Sequence, residues 1–135
     1  MHFTKNISDK IKHYIYIYSD PDTNQIFYVG KGNNNRVFSH LKADDDSEIK
    51  QKIEEIRKRG KEPKIEILLH GLKDDKTALR VESSIIDLLG VKNLANKVRG
   101  YESSKFGRMS VDELKALYNR KPAHITEPSI LIRIN

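Results

Sequence analysis

The segment "HYIYIYS", residues 13–19, alternates tyrosine with isoleucine and restricts the fold more than any other stretch of the chain. Successive side chains of a β-strand point to opposite faces, so a strand here presents tyrosines on one face and isoleucines on the other. The turn-rich "DPDTNQ" and a second apolar run, "IFYVG", follow and predict a β-hairpin. With a symmetric loop, Tyr16 lies opposite Tyr28, so that both tyrosines share one face. The same register places Tyr14 opposite Gly30.

The remainder of the chain predicts further helices and one more strand. The strand is "KIEILLH", residues 64–70, and a short helix is expected after the asparagines of "GNNNRVFSH", capped by them. Longer helices are predicted within "DDDSEIKQKIEEIRKRG", "DDKTALRVESSIIDLLG" and "MSVDELKALYN". Asp45 and Glu48 have the spacing of a capping box for the first of these helices, and Ser110 and Glu113 for the last. The tail "EPSILIRIN" predicts an edge strand or an oligomer contact.

Apolar stripes on the two central helices predict which faces are buried. One stripe consists of Ile49, Ile53 and Ile56, and the other consists of Ala78, Val81, Ile85, Leu88 and Leu89. Strands and helices in this order predict an α/β fold, a small sandwich with a mainly antiparallel three-stranded central sheet flanked by helices. The 135 residues are enough for one domain. Within it we expect an N-terminal extension (1–12), a core (13–100), and a C-terminal helix with an edge strand (101–135).

Composition restricts the classes of function. The chain has 25 Lys+Arg against 19 Asp+Glu, a formal charge of +6, and this surplus favours a polyanionic partner. The absence of cysteine excludes a disulfide framework and a thiolate metal site. No run approaches the roughly 18 apolar residues of a membrane span, and the N-terminus lacks the apolar region of a signal peptide. We therefore expect no membrane association and a cytoplasmic location.

Glu82 is the most informative single residue. At about 100° per residue, it falls among apolar positions of its predicted helix. Burial of an unpaired charge costs several kcal/mol, so this carboxylate requires a cation, a metal ion or a proton. A structural ion pair with Arg or Lys is the alternative to a functional role.

The loop "GKGNNNR" and the residues after it form a second candidate site. Glycine permits close approach of the backbone to a ligand and Lys31 could reach a phosphate, although the spacing matches neither a Walker loop nor a dinucleotide fingerprint. Arg36 and His40 lie one helical turn apart and could converge on one anion. A turn and a solvated helix face are the simpler explanations. Together with Tyr16 and Tyr28, these candidate site residues form a set of side chains that suits phosphodiester chemistry rather than glycoside hydrolysis or a zinc site.

Taken in order, these motifs resemble those of the GIY-YIG nuclease superfamily. "YIY" stands where the family has Gly-Ile-Tyr, and "YVG" stands for Tyr-Ile-Gly, with eleven residues between them. Arg36 and His40 match the arginine and histidine that follow. Glu82 matches the metal-binding glutamate, and Asn96 in "LANKVRG" matches the late asparagine. The resemblance covers roughly residues 13–100.

Two positions depart from the family pattern. Tyr14 replaces the glycine of the first motif, so the match there depends on Tyr16. Asn93 competes with Asn96 for the asparagine role, and the "KVRG" that follows Asn96 favours the latter.

The resemblance implies hydrolysis of a DNA phosphodiester with one divalent ion, Mg2+ or alternatively Mn2+, bound by Glu82. Mg2+ retains most of its waters and requires few protein ligands. Gly30 and Lys31 would form the loop at the substrate phosphate, and Arg36 would offset the charge that develops there. Asn96 would act indirectly, through hydrogen bonds that hold Glu82 or a loop.

The general base has two candidates. Tyr16 is the one that the resemblance implies, with Tyr28 positioning the attacking water or the phosphate. A free tyrosine has a pKa near 10, so neighbouring cations must favour the Tyr16 phenolate. His40 is the alternative base.

Two other classes of function remain open. A nucleic-acid-binding module without catalysis would use the same basic surface, and a structural domain would pair through its isoleucine-rich tail. For a nuclease, the absence of a second domain to read sequence leaves branched, site-specific, damaged and foreign DNA as targets. A protein partner or the shape of the substrate would then supply specificity. A homodimer would cut both strands, whereas a single copy would nick one.

Overall fold

The computed structural model describes residues 1–96, 100 and 106–119. Its sheet consists of β1 (His13–Ser19), β2 (Ile26–Gly32) and β3 (Lys64–Leu72). The strands lie in the order β2-β1-β3, and both pairings are antiparallel. The predicted three-stranded antiparallel sheet is therefore confirmed. The predicted tail strand lies outside the described residues.

Helices flank the sheet, as the α/β prediction requires. They are α1 (Lys5–Ile11), α2 (Ser39–Lys42), α3 (Glu48–Lys58), α4 (Asp75–Leu89) and α5 (Val111–Asn119), with 3-10 turns at Arg36–Phe38 and Val91–Asn93. Every helix within the described ranges is too short or too polar to span a bilayer.

The alternation in β1 divides the core into two clusters. The tyrosine face packs against α3. The fully buried residues of this cluster include Tyr14, Tyr16 and Tyr18 from the strand and Ile53 and Ile56 from the helix. The isoleucine face packs against α4, through Ile15, Ile17, Val29, Ala78 and Ile86. The sheet is thus enclosed between helices, which is the predicted sandwich.

The predicted hairpin register is wrong by two residues. Tyr16 pairs with Gly30 and Tyr18 pairs with Tyr28, and the register shifts next to Tyr18. The loop closes with Ser19 opposite Ile26, which is one residue away from the predicted register, and Phe27 is an extra residue at the bulge that adds the second residue of the shift. A shift of two preserves the face of each side chain. Tyr16 and Tyr28 therefore still share one face, with ring centroids 6.1 Å apart.

Two of the three predicted helix caps are wrong. The predicted asparagine cap is absent: Asn35 precedes the 3-10 turn without a side-chain cap bond, and its Oδ1 instead accepts a hydrogen bond from the Phe3 amide at 2.6 Å. Ser47 rather than Asp45 caps α3, because Asp45 accepts hydrogen bonds from Ser47. Other polar groups competed successfully for both side chains: the Phe3 amide, which is distant in sequence, for Asn35, and the neighbouring Ser47 for Asp45.

The reciprocal capping box of Ser110 and Glu113 at α5 is confirmed, with both hydrogen bonds at 3.0 Å.

The predicted stripe of α4 is correct except at its end. Leu88 is 68% exposed, whereas Ile86 is 3% exposed. Leu88 lies two positions after Ile86, which is about 200° around the helix, so the two side chains point in nearly opposite directions. The face towards the sheet follows Ala78 and Ile86, which places Glu82 midway along it.

Candidate active site

One pocket brings most of the predicted site residues together. It has a volume of about 360 Å³ and lies at the end of β2 next to α4. Its lining consists of His13, Tyr16, Tyr28, Lys31, Gly32, Asn33, Arg36, Asp75 and Glu82. A second cavity of about 330 Å³, beside α3 and the hairpin, is lined by none of the predicted site residues.

Tyr16 lies across Gly30. A Cβ atom at position 30 would overlap Cζ of Tyr16 and lie 2.5 Å from its hydroxyl oxygen. Glycine is therefore required at this position by the aromatic ring, whatever the backbone contributes to ligand binding. Next to Tyr16, Tyr28 completes the aromatic side of the pocket.

Both pocket phenols are neutral in this arrangement. Burial raises the pKa of Tyr16 well above its usual value, Tyr28 adds to this increase, and the Arg36 charge opposes it. Burial also raises the pKa of Tyr28, as does the Glu82 carboxylate, while Arg36 and a hydrogen bond from Tyr16 lower it. Arg36 is thus the charged group that favours both phenolates.

Glu82 reaches the edge of β2. Its carboxylate accepts a hydrogen bond from the Lys31 backbone amide. Burial raises the pKa of Glu82, whereas the Lys31 charge and this hydrogen bond lower it. A structural ion pair with a Lys or Arg was the alternative role for Glu82. This role is fulfilled only in part, because the Lys31 charge acts on Glu82 but the Lys31 ammonium pairs with Asp75 at 2.6 Å.

The donor set at Glu82 suits a hard divalent ion. Among the residues with described positions, no three His, Cys, Asp or Glu side chains cluster as metal ligands. A single carboxylate beside an open pocket fits Mg2+ or Mn2+, because Mg2+ usually retains several waters and binds through one or two carboxylates. It does not fit zinc, which requires three or four protein ligands.

Arg36 is exposed and lines the pocket. Its guanidinium forms no hydrogen bond or ion pair within the described residues, so it is available to an anion. Gly32 makes room for its side chain, since a Cβ at position 32 would lie 2.5 Å from Cβ of Arg36. The two glycines of "GKG" therefore accommodate two different side chains.

His40 does not line this pocket. Its ring packs against Tyr28 at 4.8 Å and Tyr18 at 6.0 Å between centroids. Burial lowers the pKa of His40, as does the Arg36 charge, so the ring is neutral at pH 7. Its Nε2 atom is buried and has no hydrogen-bond partner in the described part of the chain. His40 therefore packs against the Tyr28 ring from outside the pocket.

Four further residues line the pocket. Gly32 and Asn33 lie in the loop "GKGNNNR", which the sequence marks as a candidate site, whereas His13 and Asp75 were not predicted from the sequence. A signal for Asp75 was present, because it precedes Glu82 by seven residues and therefore lies two turns away on the same face of α4. His13 had no such signal, since only the tertiary structure places the start of β1 beside α4.

Asn96 lies outside the pocket lining and is bound to β2. Its Nδ2 donates to the Val29 carbonyl oxygen at 2.7 Å, and its Oδ1 accepts from the Val29 amide at 3.1 Å. Asn93 instead donates to the Leu89 carbonyl at the end of α4. Only Asn96 therefore acts on the strand that carries Tyr28 and Gly30.

Compared with known families, the chain matches the LEM-3-like GIY-YIG domain over residues 22–118. The chain belongs to the GIY-YIG nuclease superfamily. The match includes Tyr28, Arg36 and Glu82, and it begins after the "YIY" of β1. No curated protein matches the chain, and no solved structure does. Membership makes DNA the expected substrate class and confirms the predicted family.

Proposed function

We propose that this GIY-YIG domain is a metal-dependent DNA endonuclease that hydrolyses phosphodiester bonds. The observation that supports this most directly is the pocket itself. Two phenols, two cations and the Glu82 carboxylate line one cavity, although they come from two strands, a turn and a helix. This combination provides groups for a phosphate, for a water and for a metal ion.

Glu82 is the residue that would bind Mg2+ or Mn2+, with water and phosphate oxygens as the other ligands. A bound ion supplies Lewis-acid stabilisation of the oxygen on which charge develops. The Lys31 backbone amide holds the Glu82 carboxylate in place for this role.

Arg36 and Lys31 act on the phosphate. The free guanidinium of Arg36 can bind two phosphate oxygens at once, a geometry that lysine lacks. Lys31 lies beside it in the lining and is released from Asp75 when a phosphate competes for its ammonium. Both cations offset the charge that grows on the phosphate oxygens.

Tyr16 is our candidate general base, with Tyr28 positioning the water or the phosphate. Burial opposes ionisation of Tyr16, so Arg36 must favour the phenolate when the substrate is bound. Tyr16→Phe should abolish turnover across the pH range. If the variant retained near wild-type turnover, His40 would become the candidate base.

The basic surface is proposed to bind the DNA backbone. The helix α3 with its flank, "KQKIEEIRKRG", supplies part of this surface, and "NKVRGYESSKFGR" falls largely outside the described residues. Contacts to phosphates release counterions, so affinity should fall steeply with salt. A salt-independent affinity would argue against this surface.

Three further points belong to the same proposal. The chain acts as a homodimer or with a specificity-giving partner, and its location is cytoplasmic. Residues 101–135 belong to the same domain as the core.

The test compares cleavage of supercoiled plasmid and of a labelled branched duplex, with Mg2+, with Mn2+ or with EDTA. Wild type should cut only with a divalent ion, and Glu82→Ala should bind both substrates without cutting. Glu66→Ala is the matched control, because Glu66 is exposed on β3, away from the pocket. If neither wild type nor Glu82→Ala cuts while both bind equally, the chain is a non-catalytic nucleic-acid-binding module.

A further inference from the structure

The position of Arg36 depends on the backbone that carries it. Its guanidinium has no hydrogen-bond or ion-pair partner among the described residues, so no side chain orients it. The next two residues, Val37 and Phe38, are buried and anchor the turn. The direction in which Arg36 enters the pocket is therefore set by the conformation of residues 33–37.

Tyr14 holds this turn on both sides of Arg36. Its hydroxyl donates to the Asn34 carbonyl oxygen at 2.9 Å and accepts from the Val37 amide at 3.0 Å. Tyr14 is completely buried, and its ring contacts Phe3 and Tyr16. A rigid, buried phenol thus joins the backbone before Arg36 to the backbone after it.

Gly32 completes the arrangement. It pairs with Tyr14 across the hairpin. A Cβ at position 32 would lie 2.6 Å from Cγ of Arg36 and 3.6 Å from the Tyr14 hydroxyl. The first carbons of the Arg36 side chain therefore occupy the space over Gly32, close to the Tyr14 hydroxyl.

We propose that Tyr14 is a positioning residue for Arg36, because its hydroxyl fixes the turn that presents the guanidinium to a DNA phosphate. The inference rests on the proposed function, in which Arg36 contacts that phosphate. In the family pattern a glycine stands at this position, and glycine has no hydroxyl. Tyr14 therefore adds a determinant of the site to Tyr16, Arg36 and Glu82.

Tyr14→Phe removes every hydrogen bond of the hydroxyl, including a long one of 3.5 Å to the Asn33 carbonyl oxygen, and retains the buried ring. Tyr18→Phe is the matched control, because the Tyr18 hydroxyl donates to the Val37 carbonyl at 2.6 Å from the same face but only after Arg36. Both variants lose a buried hydroxyl, so both lose stability. Only Tyr14→Phe releases the segment that brackets Arg36.

The decisive readout is a double-mutant cycle of plasmid cleavage with Tyr14→Phe and Arg36→Ala. In the wild-type background, Tyr14→Phe should lower kcat by about 10- to 100-fold, because small displacements of a positioned group carry such costs. In the Arg36→Ala background it should cause no further loss. Equal losses in both backgrounds, no loss in either, or an equal loss from Tyr18→Phe would overturn the proposal.

The role of Tyr14 can be tested even if the proposed nuclease function fails. If wild type cuts no DNA, the nuclease proposal fails, and the same cycle is read from the affinity of a short fluorescein-labelled duplex at low salt. Tyr14→Phe should then weaken binding only while Arg36 is present. An equal weakening in both backgrounds, or none, would overturn the role of Tyr14 on its own.

Discussion

The side-chain amide of Asn96 forms two hydrogen bonds with the backbone of Val29, one in each direction. Val29 lies between Tyr28 and Gly30 on β2, whose outer side has no partner strand among the described residues. The next amide along this outer side, that of Lys31, donates to Glu82. Asn96 therefore takes the place of a neighbouring strand at the point where β2 enters the pocket.

Replacement of Asn96 should destabilise the domain. Asn96→Ala leaves both polar groups of Val29 without these partners, and two hydrogen bonds at about 0.5–1.5 kcal/mol each predict a loss of about 1–3 kcal/mol in the free energy of unfolding. Urea denaturation measures this loss. Metal affinity should also fall, because the strand beside Glu82 loosens, while the pH profile of cleavage stays unchanged.

Asn93→Ala is the control for Asn96→Ala. It removes a single hydrogen bond at the end of α4 and leaves β2 intact. An unaltered melting temperature together with an unaltered metal titration for Asn96→Ala would contradict the prediction.

Gly30→Ala should displace the Tyr16 ring. The added methyl group overlaps the ring, and overpacking of a buried site costs about 1–3 kcal/mol. Cleavage should fall because Tyr16 leaves its place next to Tyr28. Thermal unfolding and plasmid cleavage measure the two effects. In a Tyr16→Ala background, Gly30→Ala should cost little stability, and an equal cost in both backgrounds would show that the ring is not the cause.

Asp75→Asn should increase DNA affinity. It releases the Lys31 ammonium, whose side chain is 27% exposed and pairs with the 62% exposed Asp75. Ion pairs of this exposure are worth about 0–1 kcal/mol, so we expect an increase of up to about 5-fold, measured by fluorescence anisotropy at low salt. Asp112→Asn, in the first turn of α5, is the control for net charge. The increase should vanish in a Lys31→Ala background, and its persistence there would exclude the mechanism.

The Asp20 carboxylate should make the free energy of unfolding depend on pH in the acid range. Its carboxylate accepts hydrogen bonds from the Asp22 amide and from Arg59, which lower its pKa to about 2. The unfolded chain has a value near 3.9, so this stabilisation is complete above that pKa and is lost as the pH falls from about 4 to about 2. Asp20→Asn should therefore lose less stability than wild type between pH 5 and pH 3, as urea midpoints would show. Parallel pH profiles of the two proteins would contradict the assignment.

Several features of the fold could be predicted from the sequence because they depend on local pattern. The tyrosine and isoleucine alternation of β1 gave the faces of the sheet, and the isoleucine stripe of α3 gave its buried side. The capping box at Ser110 was readable because both partners lie within four residues. Glu82 was recognisable because a carboxylate interrupts an apolar helical face.

Other features were decided by the tertiary structure, because they depend on which distant segments meet. The hairpin register was set by the loop closure and by a bulge that the sequence does not mark, and the cap of α3 by competition between two neighbouring polar side chains. His40 packs behind Tyr28, whereas His13 reaches the pocket from the start of β1. The same applies to Asp75, whose partner Lys31 is 44 residues away. Periodicity assigns a side chain to a face of its own element, and only the packing of elements determines what that face meets.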